Sequence, residues 1–204
     1  MLEGNLSLPL DPQGLVLFAH GSGSSRNSPR NRYVAERLNE AKLATLLIDL
    51  LTTDEERIDQ VTAELRFNIG LLADRLVQAT DWLSSFGSTS RLRLGYFGAS
   101  TGAGAALISA AERPEHAAAV VSRGGRPDLA AEALPRVRAP TLLIVGGADT
   151  QVIALNRSAL AALRSEKELT IVPGATHLFE EPGTLDEAAD HAIRWFLRHL
   201  ARPA

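Results

Sequence analysis

The sequence contains no cysteine, which excludes disulfide bonds, thiolate zinc sites and a cysteine nucleophile. Lysine is nearly absent as well, because 19 of the 21 basic residues are arginines. The net charge is only −3, and the chain carries neither a basic block nor an acidic run. We therefore expect no nucleic-acid partner.

Long apolar runs are also missing. Every apolar stretch is interrupted well before 18 residues, so the sequence predicts neither a membrane-spanning helix nor a membrane partner. Residues 1–10 include the acid Glu3, and their apolar run is too short for a signal peptide. No set of His, Asp and Glu has the spacing of metal ligands. We expect a cytoplasmic protein, monomeric or homodimeric, without metal or cofactor.

Short apolar runs alternate along the chain with segments of helical periodicity. The runs resemble strands buried on both faces and cover residues 14–19, 43–49, 92–97, 117–122, 140–145 and 168–172. The helical segments begin at Ser28-Pro29 and then cover residues 65–86, 101–112, 151–163 and 185–200. This alternation predicts a single α/β domain over residues 1–204, with a mostly parallel sheet of about seven strands and helices on both faces.

Three local features are less regular. Leu6 to Leu10 is predicted to add an edge strand that Pro9 ends. Thr184 with Glu187 three residues later is typical of a capping box at the start of the last helix. Residues 51–64 show no clear pattern, and we interpret them as a loop that could border the ligand site.

The segment 98–102, Gly-Ala-Ser-Thr-Gly, follows a predicted strand and precedes an alanine-rich helix. This is the G-x-S-x-G pattern in the strand–turn–helix context of a nucleophilic serine. Glycines two positions before and after Ser100 remove side chains that would collide with the neighbouring strand and helix. The alternative is a glycine-rich turn whose serine only caps the helix, or one that binds phosphate.

A serine nucleophile needs a base and an orienting acid. Two of the five histidines directly follow a predicted strand, and because His20 belongs to a different motif, His177 is the candidate base. Asp149 follows the preceding strand. The chain order Ser100, Asp149, His177 is the one expected when a nucleophilic serine, its acid and its base follow strands of one parallel sheet. As alternatives, Asp149 could be only a helix N-cap and His177 a buried structural histidine. Asp128 is the reserve acid.

The segment His20-Gly21-Ser22-Gly23 follows the first long strand. A turn of this kind supplies one backbone N–H to a developing oxyanion, and the residue after the nucleophile supplies another. We expect the amides of Ser22 and Thr101 in these roles, with Gly23 as the substitute for Ser22. The alternative is a phosphate-cradling loop, although the Gly-Lys-Ser/Thr ending of a P-loop is missing.

Arginines follow two of the strands. Arg123 and Arg126 come after the strand at 117–122, and Arg26 and Arg30 follow the oxyanion segment. Arg123 and Arg126 are predicted to pair with a substrate carboxylate. The alternative is that these are ordinary exposed loop arginines in an arginine-rich chain.

The elbow at 98–102, the Gly-Gly-Ala-Asp ending at Asp149 and the Gly-Ala-Thr-His ending at His177 resemble the dienelactone hydrolase branch of the α/β-hydrolases over nearly the whole chain. The resemblance implies an α/β-hydrolase fold without a cap domain and a triad of Ser100, Asp149 and His177. Residues 123–139 are too few for a full lid, which favours small or medium esters.

The chain also departs from that branch. True dienelactone hydrolases use a cysteine nucleophile and place a glutamate near the oxyanion strand, where this chain has His20-Gly21. The chain is similar to dienelactone-hydrolase-like proteins, some of which are fused to phosphoribosyltransferase domains. We therefore expect a carboxylic-ester hydrolase that acts on a small-molecule ester. The alternatives are a thioesterase or acyltransferase with the same triad, or a binding protein that keeps the fold without turnover.

Overall fold

The computed structural model describes residues 1–201, which form one seven-stranded sheet with helices on both faces. The strands are β1 (Gly4–Ser7), β2 (Gly14–Ala19), β3 (Leu43–Ile48), β4 (Leu94–Ala99), β5 (Ala117–Arg123), β6 (Thr141–Gly146) and β7 (Lys167–Val172). The helices are α1 (Pro29–Glu40), α2 (Thr53–Thr62), α3 (Ile69–Ser85), α4 (Thr101–Glu112), α5 (Thr150–Ala162) and α6 (Thr184–Leu200).

The strand order in the sheet is β1-β3-β2-β4-β5-β6-β7. Strands β2 to β7 run parallel to one another, and β1 pairs antiparallel with β3 at the edge. The mostly parallel sheet of seven strands predicted from the apolar runs is therefore confirmed. Because β4 lies at the centre, the turn that follows it lies in the middle of the carboxyl edge of the sheet.

The strands bury both faces, which explains their continuous apolar runs. On one face they pack against α1 and α6, with Phe18, Phe97 and Phe196 among the fully buried side chains. On the other face they pack against α3, α4 and α5, where the small side chains of α4 let that helix approach closely. One hydrophobic core thus packs on each face of the sheet, and together they fix the position of its carboxyl edge.

Most predicted boundaries agree with the structure to within two residues. Ser28 caps α1 by accepting from the Asn31 amide, with Pro29 at the first helical position, as the sequence predicts. The edge strand is present, although it covers Gly4–Ser7 and ends before Pro9. The helix predicted from residue 65 starts at Ile69, after a short 3₁₀ turn at Leu65–Phe67.

Two predictions were wrong. Residues 51–64 are not a loop, because Thr52 and Glu55 form a capping box that starts α2. The capping box predicted for Thr184 and Glu187 does not form, since Gly183 is the N-cap and the Thr184 hydroxyl donates to the carbonyl of Glu181 at 2.8 Å.

The connection between β5 and β6 contains two short 3₁₀ turns, at Pro127–Ala130 and Leu134–Arg136. Both turns pack against α4 and α5, and their apolar side chains are buried there. This segment therefore lies against α4 and α5, in agreement with the prediction that no cap domain is inserted here. None of the helices within residues 1–201 is long and apolar enough to cross a lipid bilayer.

Candidate active site

Ser100 occupies a strained turn between β4 and α4. Its backbone has φ 51° and ψ −123°, a conformation that a residue with a side chain adopts only when the surroundings enforce it. The turn points the serine out of the strand tip. Its side chain makes no capping hydrogen bond to α4, so the interpretation as a simple helix cap has no support.

The flanking glycines make this turn possible. A Cβ on Gly98 would lie 2.8 Å from the amide nitrogen of Ala103, and a Cβ on Gly102 would lie 2.5 Å from the carbonyl oxygen of His20. Both distances are far below van der Waals contact. The glycines therefore allow α4 to pack directly against β4 and against the end of β2.

Asp149 and His177 are brought together across the ends of β6 and β7. The Oδ2 atom of Asp149 lies 2.7 Å from Nδ1 of His177. Asp149 is the N-cap residue of α5, but its side chain makes no capping bond to the helix. Because a carboxylate only accepts hydrogen bonds, Nδ1 donates in this contact, and in the neutral imidazole the lone pair is then on Nε2.

The loop that carries His177 is held from both sides. The carboxylate of Glu181 accepts from the amide of Thr176 at 3.0 Å. Hydrogen bonds from the side chain of Thr176, and next from its amide, lower the pKa of Glu181 below its ordinary value. The carbonyl of Ala175 accepts from the Ala148 amide at 2.9 Å, which ties the loop to the turn before Asp149. Sequence reasoning did not identify Glu181, which lies four residues after the histidine.

Ser100 and His177 line one cavity at the carboxyl edge of the sheet, with a volume of about 250 Å³. The other lining residues include the oxyanion segment, the start of α1 and the end of β5. No hydrogen bond between Ser100 and His177 occurs among those of residues 1–201. Larger cavities lie at the amino ends of the strands and beside β1, away from these residues.

His20 fixes the turn after β2. Its Nε2 accepts the amide of Leu50 at 3.0 Å, and its Nδ1 donates to the carbonyl of Gly21 at 2.9 Å. Both bonds require the neutral imidazole with the proton on Nδ1. Burial lowers the pKa of His20 below its ordinary value, which favours this neutral form.

One of the two amides predicted to form the oxyanion hole already has a hydrogen-bond acceptor. The N–H of Ser22 donates to Oγ1 of Thr101 at 2.9 Å, so it is occupied by a side chain rather than free as expected. The amide of Thr101 is the first of α4, a position without an acceptor inside the helix. Gly23 adopts a left-handed conformation, φ 67°, beside Arg66 and borders a separate small cavity.

The two arginines predicted to bind substrate behave differently. Arg123 ends β5, is only 6% exposed and lines the cavity of Ser100. Burial, and to a lesser extent the charge of Arg30, lowers the pKa of Arg123 to about 10. Arg126 instead forms two hydrogen bonds to Asp128, at 2.9 and 2.7 Å, and does not line this cavity.

The guanidinium of Arg126 is therefore paired outside this cavity, and the role predicted for Arg126, like that of Asp128 as reserve acid, stays a prediction. Of the other two arginines, Arg26 pairs with Asp49 and Glu3 away from the cavity. Arg30 lines the cavity and pairs with the exposed carboxylate of Glu180 at 3.1 Å. Within residues 1–201, no three His, Asp or Glu side chains are grouped so that they could hold a metal ion.

Comparisons with known proteins agree with this architecture. The profile of the dienelactone hydrolase family matches residues 24–200. The crystal structure of a dienelactone hydrolase from Anabaena variabilis is 65% identical, has a TM-score of 0.96 and covers 98% of this chain and 92% of its own. Est1E from Butyrivibrio proteoclasticus, 15% identical with a TM-score of 0.81 over 97% of this chain and 94% of its own, shares the fold. The fold is that of the α/β-hydrolases.

A protein from Mycobacterium tuberculosis is 58% identical over 202 residues, and its provisional name is phosphoribosyl transferase. The match covers 99% of this chain but 45% of that protein. The chain thus spans less than half the length of this curated relative.

Proposed function

The chain belongs to the dienelactone hydrolase family, and from this premise we propose that it is a serine hydrolase of carboxylic esters with Ser100 as its nucleophile. The observation that carries the proposal is the 2.7 Å contact between Asp149 and His177, beside a serine held in a strained turn. The proposed unit is a single domain over residues 1–204, which acts on a small-molecule ester without metal or cofactor.

In the first half of the reaction, Nε2 of His177 takes the proton of the Ser100 hydroxyl while Oγ attacks the ester carbonyl. The resulting imidazolium is stabilised by the carboxylate of Asp149, which stays ionised. The tetrahedral intermediate collapses when the bond to the alcohol oxygen breaks and His177 returns its proton to that oxygen. The alcohol leaves, and the acyl group stays on Ser100.

In the second half, His177 removes a proton from water, and the hydroxide attacks the acyl carbonyl. Collapse of this second intermediate releases the carboxylic acid and returns the proton to Ser100. The negative charge of both intermediates needs fixed donors. The Thr101 amide is the first donor that we propose, and the Ser22 amide is the second once the carbonyl oxygen of the substrate replaces the Thr101 hydroxyl.

The shape of the site supports small or medium substrates. The cavity that contains Ser100 and His177 is about 250 Å³, less than most sites for drug-sized ligands. The connection of residues 124–140 lies against α4 and α5 and adds no lid. A long acyl chain would therefore extend into solvent and gain little from burial.

Hydrolysis of short p-nitrophenyl esters tests the proposal. We expect Ser100→Ala to lose at least three orders of magnitude in kcat while its unfolding curve stays close to that of the wild type. Ser122→Ala is the matched control, because Ser122 is buried on β5 and its hydroxyl has no hydrogen-bond partner in the described chain. Turnover by Ser100→Ala at the wild-type rate would overturn the assignment.

A further inference from the structure

Arg123 is a buried cation without a carboxylate partner among residues 1–201. Its Nη2 reaches only the amide oxygen of Asn31, at a long 3.4 Å, and its Cζ lies over the ring of Phe179, 5.5 Å from the centroid. Its Nε and Nη1 are shielded from water and have no partner in the described part of the chain. A buried charge of this kind is costly unless a counter-charge is nearby.

A second cation faces the same cavity. Arg30 lines it from α1, and its charge contributes to the lowered pKa of Arg123, so the two guanidinium groups repel each other. The carboxylate paired with Arg30 belongs to Glu180, whose side chain is 63% exposed. Such a surface pair is screened by water and compensates little of this repulsion. Among residues 1–201, the cavity is therefore lined by one cation without a carboxylate partner and by a second whose partner is exposed to water.

The start of α1 adds to this charge. Ser28 is the N-cap of this helix of twelve residues, and Ser28, Arg30 and Asn31 all line the cavity. Pro29 has no N–H and the Asn31 amide donates to the Ser28 hydroxyl, so the amide of Arg30 is the donor that this first turn offers to an anion. The hydroxyl of Ser24 also lines the cavity and has no described partner of its own. We call Ser24, Arg30, Arg123 and the first turn of α1 the anion subsite.

We propose that the anion subsite binds a phosphate monoester group of the substrate, so that the ester cleaved at Ser100 belongs to a phosphorylated small molecule. This proposal rests on the hydrolase function proposed above. A phosphate monoester carries a charge close to −2 at neutral pH, which matches two guanidinium groups. Its three terminal oxygens offer more acceptor positions to the guanidinium groups of Arg30 and Arg123 than a planar carboxylate, which has two oxygens and one charge.

The size of the cavity limits the distance between the two reactive groups. Ser100 and the anion subsite share the same 250 Å³, so the ester carbonyl and the phosphate are separated by only a few bonds in the substrate. Hydrolysis then splits this molecule into an alcohol and a carboxylic acid, one of which keeps the phosphate. The phosphate oxygens take no part in the bond cleavage and serve to orient the ester.

The first experiment measures binding without turnover. Ser100→Ala is titrated with inorganic phosphate, and separately with acetate, in an isothermal calorimeter at low ionic strength. We expect phosphate to bind at least about tenfold more tightly than acetate, and Arg30→Gln in the same background to remove most of this difference. Equal affinities for phosphate and acetate, or no binding of phosphate, would overturn the proposal.

The second experiment measures preference during turnover. Aryl esters whose acyl chain ends in a methyl, a carboxylate or a phosphate group are compared by kcat/KM. We expect the phosphate ester to exceed the neutral ester by about tenfold or more, and this ratio to fall in Arg30→Gln and Arg123→Gln. Arg32→Gln is the matched control, because Arg32 lies on the same helix, is exposed and does not line the cavity. A preference for the neutral or the carboxylate ester would contradict the proposal.

The two experiments separate the proposals. If Ser100→Ala binds phosphate while no ester is hydrolysed by the wild type, the anion subsite stands and the hydrolase function fails. If neutral esters are hydrolysed through Ser100 and phosphate does not bind, the hydrolase function stands and the anion subsite fails. Should Arg123→Gln not fold, because its site is buried, Arg30→Gln alone decides the outcome.

Discussion

The amide of Ser22 donates a hydrogen bond of 2.9 Å to the hydroxyl of Thr101, although 79 positions separate the two residues. One residue belongs to the turn after β2 and the other is the first of α4. Both were predicted to donate backbone N–H groups to the oxyanion. The hydroxyl of Thr101 therefore ties the turn after β2 to the first turn of α4.

Replacing the hydroxyl tests this interpretation. In Thr101→Val the shape of the side chain is kept but the Ser22 amide loses its acceptor, so the turn is held less firmly. We expect kcat to fall roughly two- to tenfold with little change in KM, since one hydrogen bond of this kind contributes about 1 kcal/mol. Thr101→Ser keeps the hydroxyl and restores the rate. An unchanged or higher rate in Thr101→Val would show that the hydrogen bond between Ser22 and Thr101 does not support turnover.

The role proposed for Asp149 predicts a large effect of removing its charge. Asp149→Asn keeps the size of the side chain but no longer selects the tautomer with the proton on Nδ1 of His177. We expect kcat to fall by about three to four orders of magnitude, as in serine proteases with the equivalent change. Asp128→Asn is the matched control and changes kcat less than about twofold, because Asp128 pairs with Arg126 outside the cavity. Comparable losses in the two variants would mean that Asp149 is not the orienting acid.

Gly102 is predicted to tolerate no side chain. A Cβ there would meet the carbonyl oxygens of Ala19 and His20, both of which are backbone atoms at the end of β2. We expect Gly102→Ala to lower the free energy of unfolding by about 1–3 kcal/mol and to reduce turnover further by displacing the oxyanion turn. Gly87→Ala is the control, since nothing lies within 4 Å of a Cβ at that position. Urea denaturation of both variants measures the difference, and equal stabilities would contradict the packing argument.

The buried imidazole of His20 predicts a pH dependence of stability. Its pKa in the folded state lies below the ordinary 6.5, mainly because burial disfavours the charged form. Below pH 6.5, His20 therefore binds a proton in the unfolded chain but stays neutral in the folded state until the pH reaches its lowered pKa. The contribution of His20 is thus fully present above pH 6.5 and is lost as the pH falls towards the lowered pKa.

We expect the wild type to lose more stability than His20→Gln when the pH is lowered from about 8 to about 5, measured by denaturant unfolding at each pH. Some slope remains in the variant, because burial also lowers the pKa of His199. If the two proteins lose the same free energy over this range, His20 is not the group responsible.

Much of the fold and of the candidate triad was readable from the sequence. Buried parallel strands appear as apolar runs, and Ser100, Asp149 and His177 each follow such a run. Parallel topology places the ends of those runs on one edge of the sheet, so spacing along the chain was enough to bring the three residues together. Helix α1 was readable for a different reason, because its N-cap and first residue are local signals.

Other features depend on contacts that no local pattern encodes. Helix α2 was missed because it has no apolar stripe, and Asp59 is its only buried residue. Arg123 and Arg126 look alike in the sequence, but β5 extends to Arg123 and turns it into the core, while Arg126 lies beyond the strand and pairs with Asp128. The capping box at Thr184 does not form because Gly183, in a left-handed conformation, is the N-cap. The helix therefore begins at Thr184, one residue earlier than predicted.

The central claim, that Ser100 is an activated nucleophile, is tested most directly by a fluorophosphonate probe and intact-protein mass spectrometry. The account predicts one adduct per chain on the wild type, located on Ser100 by peptide mapping, much slower labelling of Asp149→Asn and no adduct on Ser100→Ala. A folded wild-type protein that gains no mass, or an adduct that maps to another residue, would contradict it.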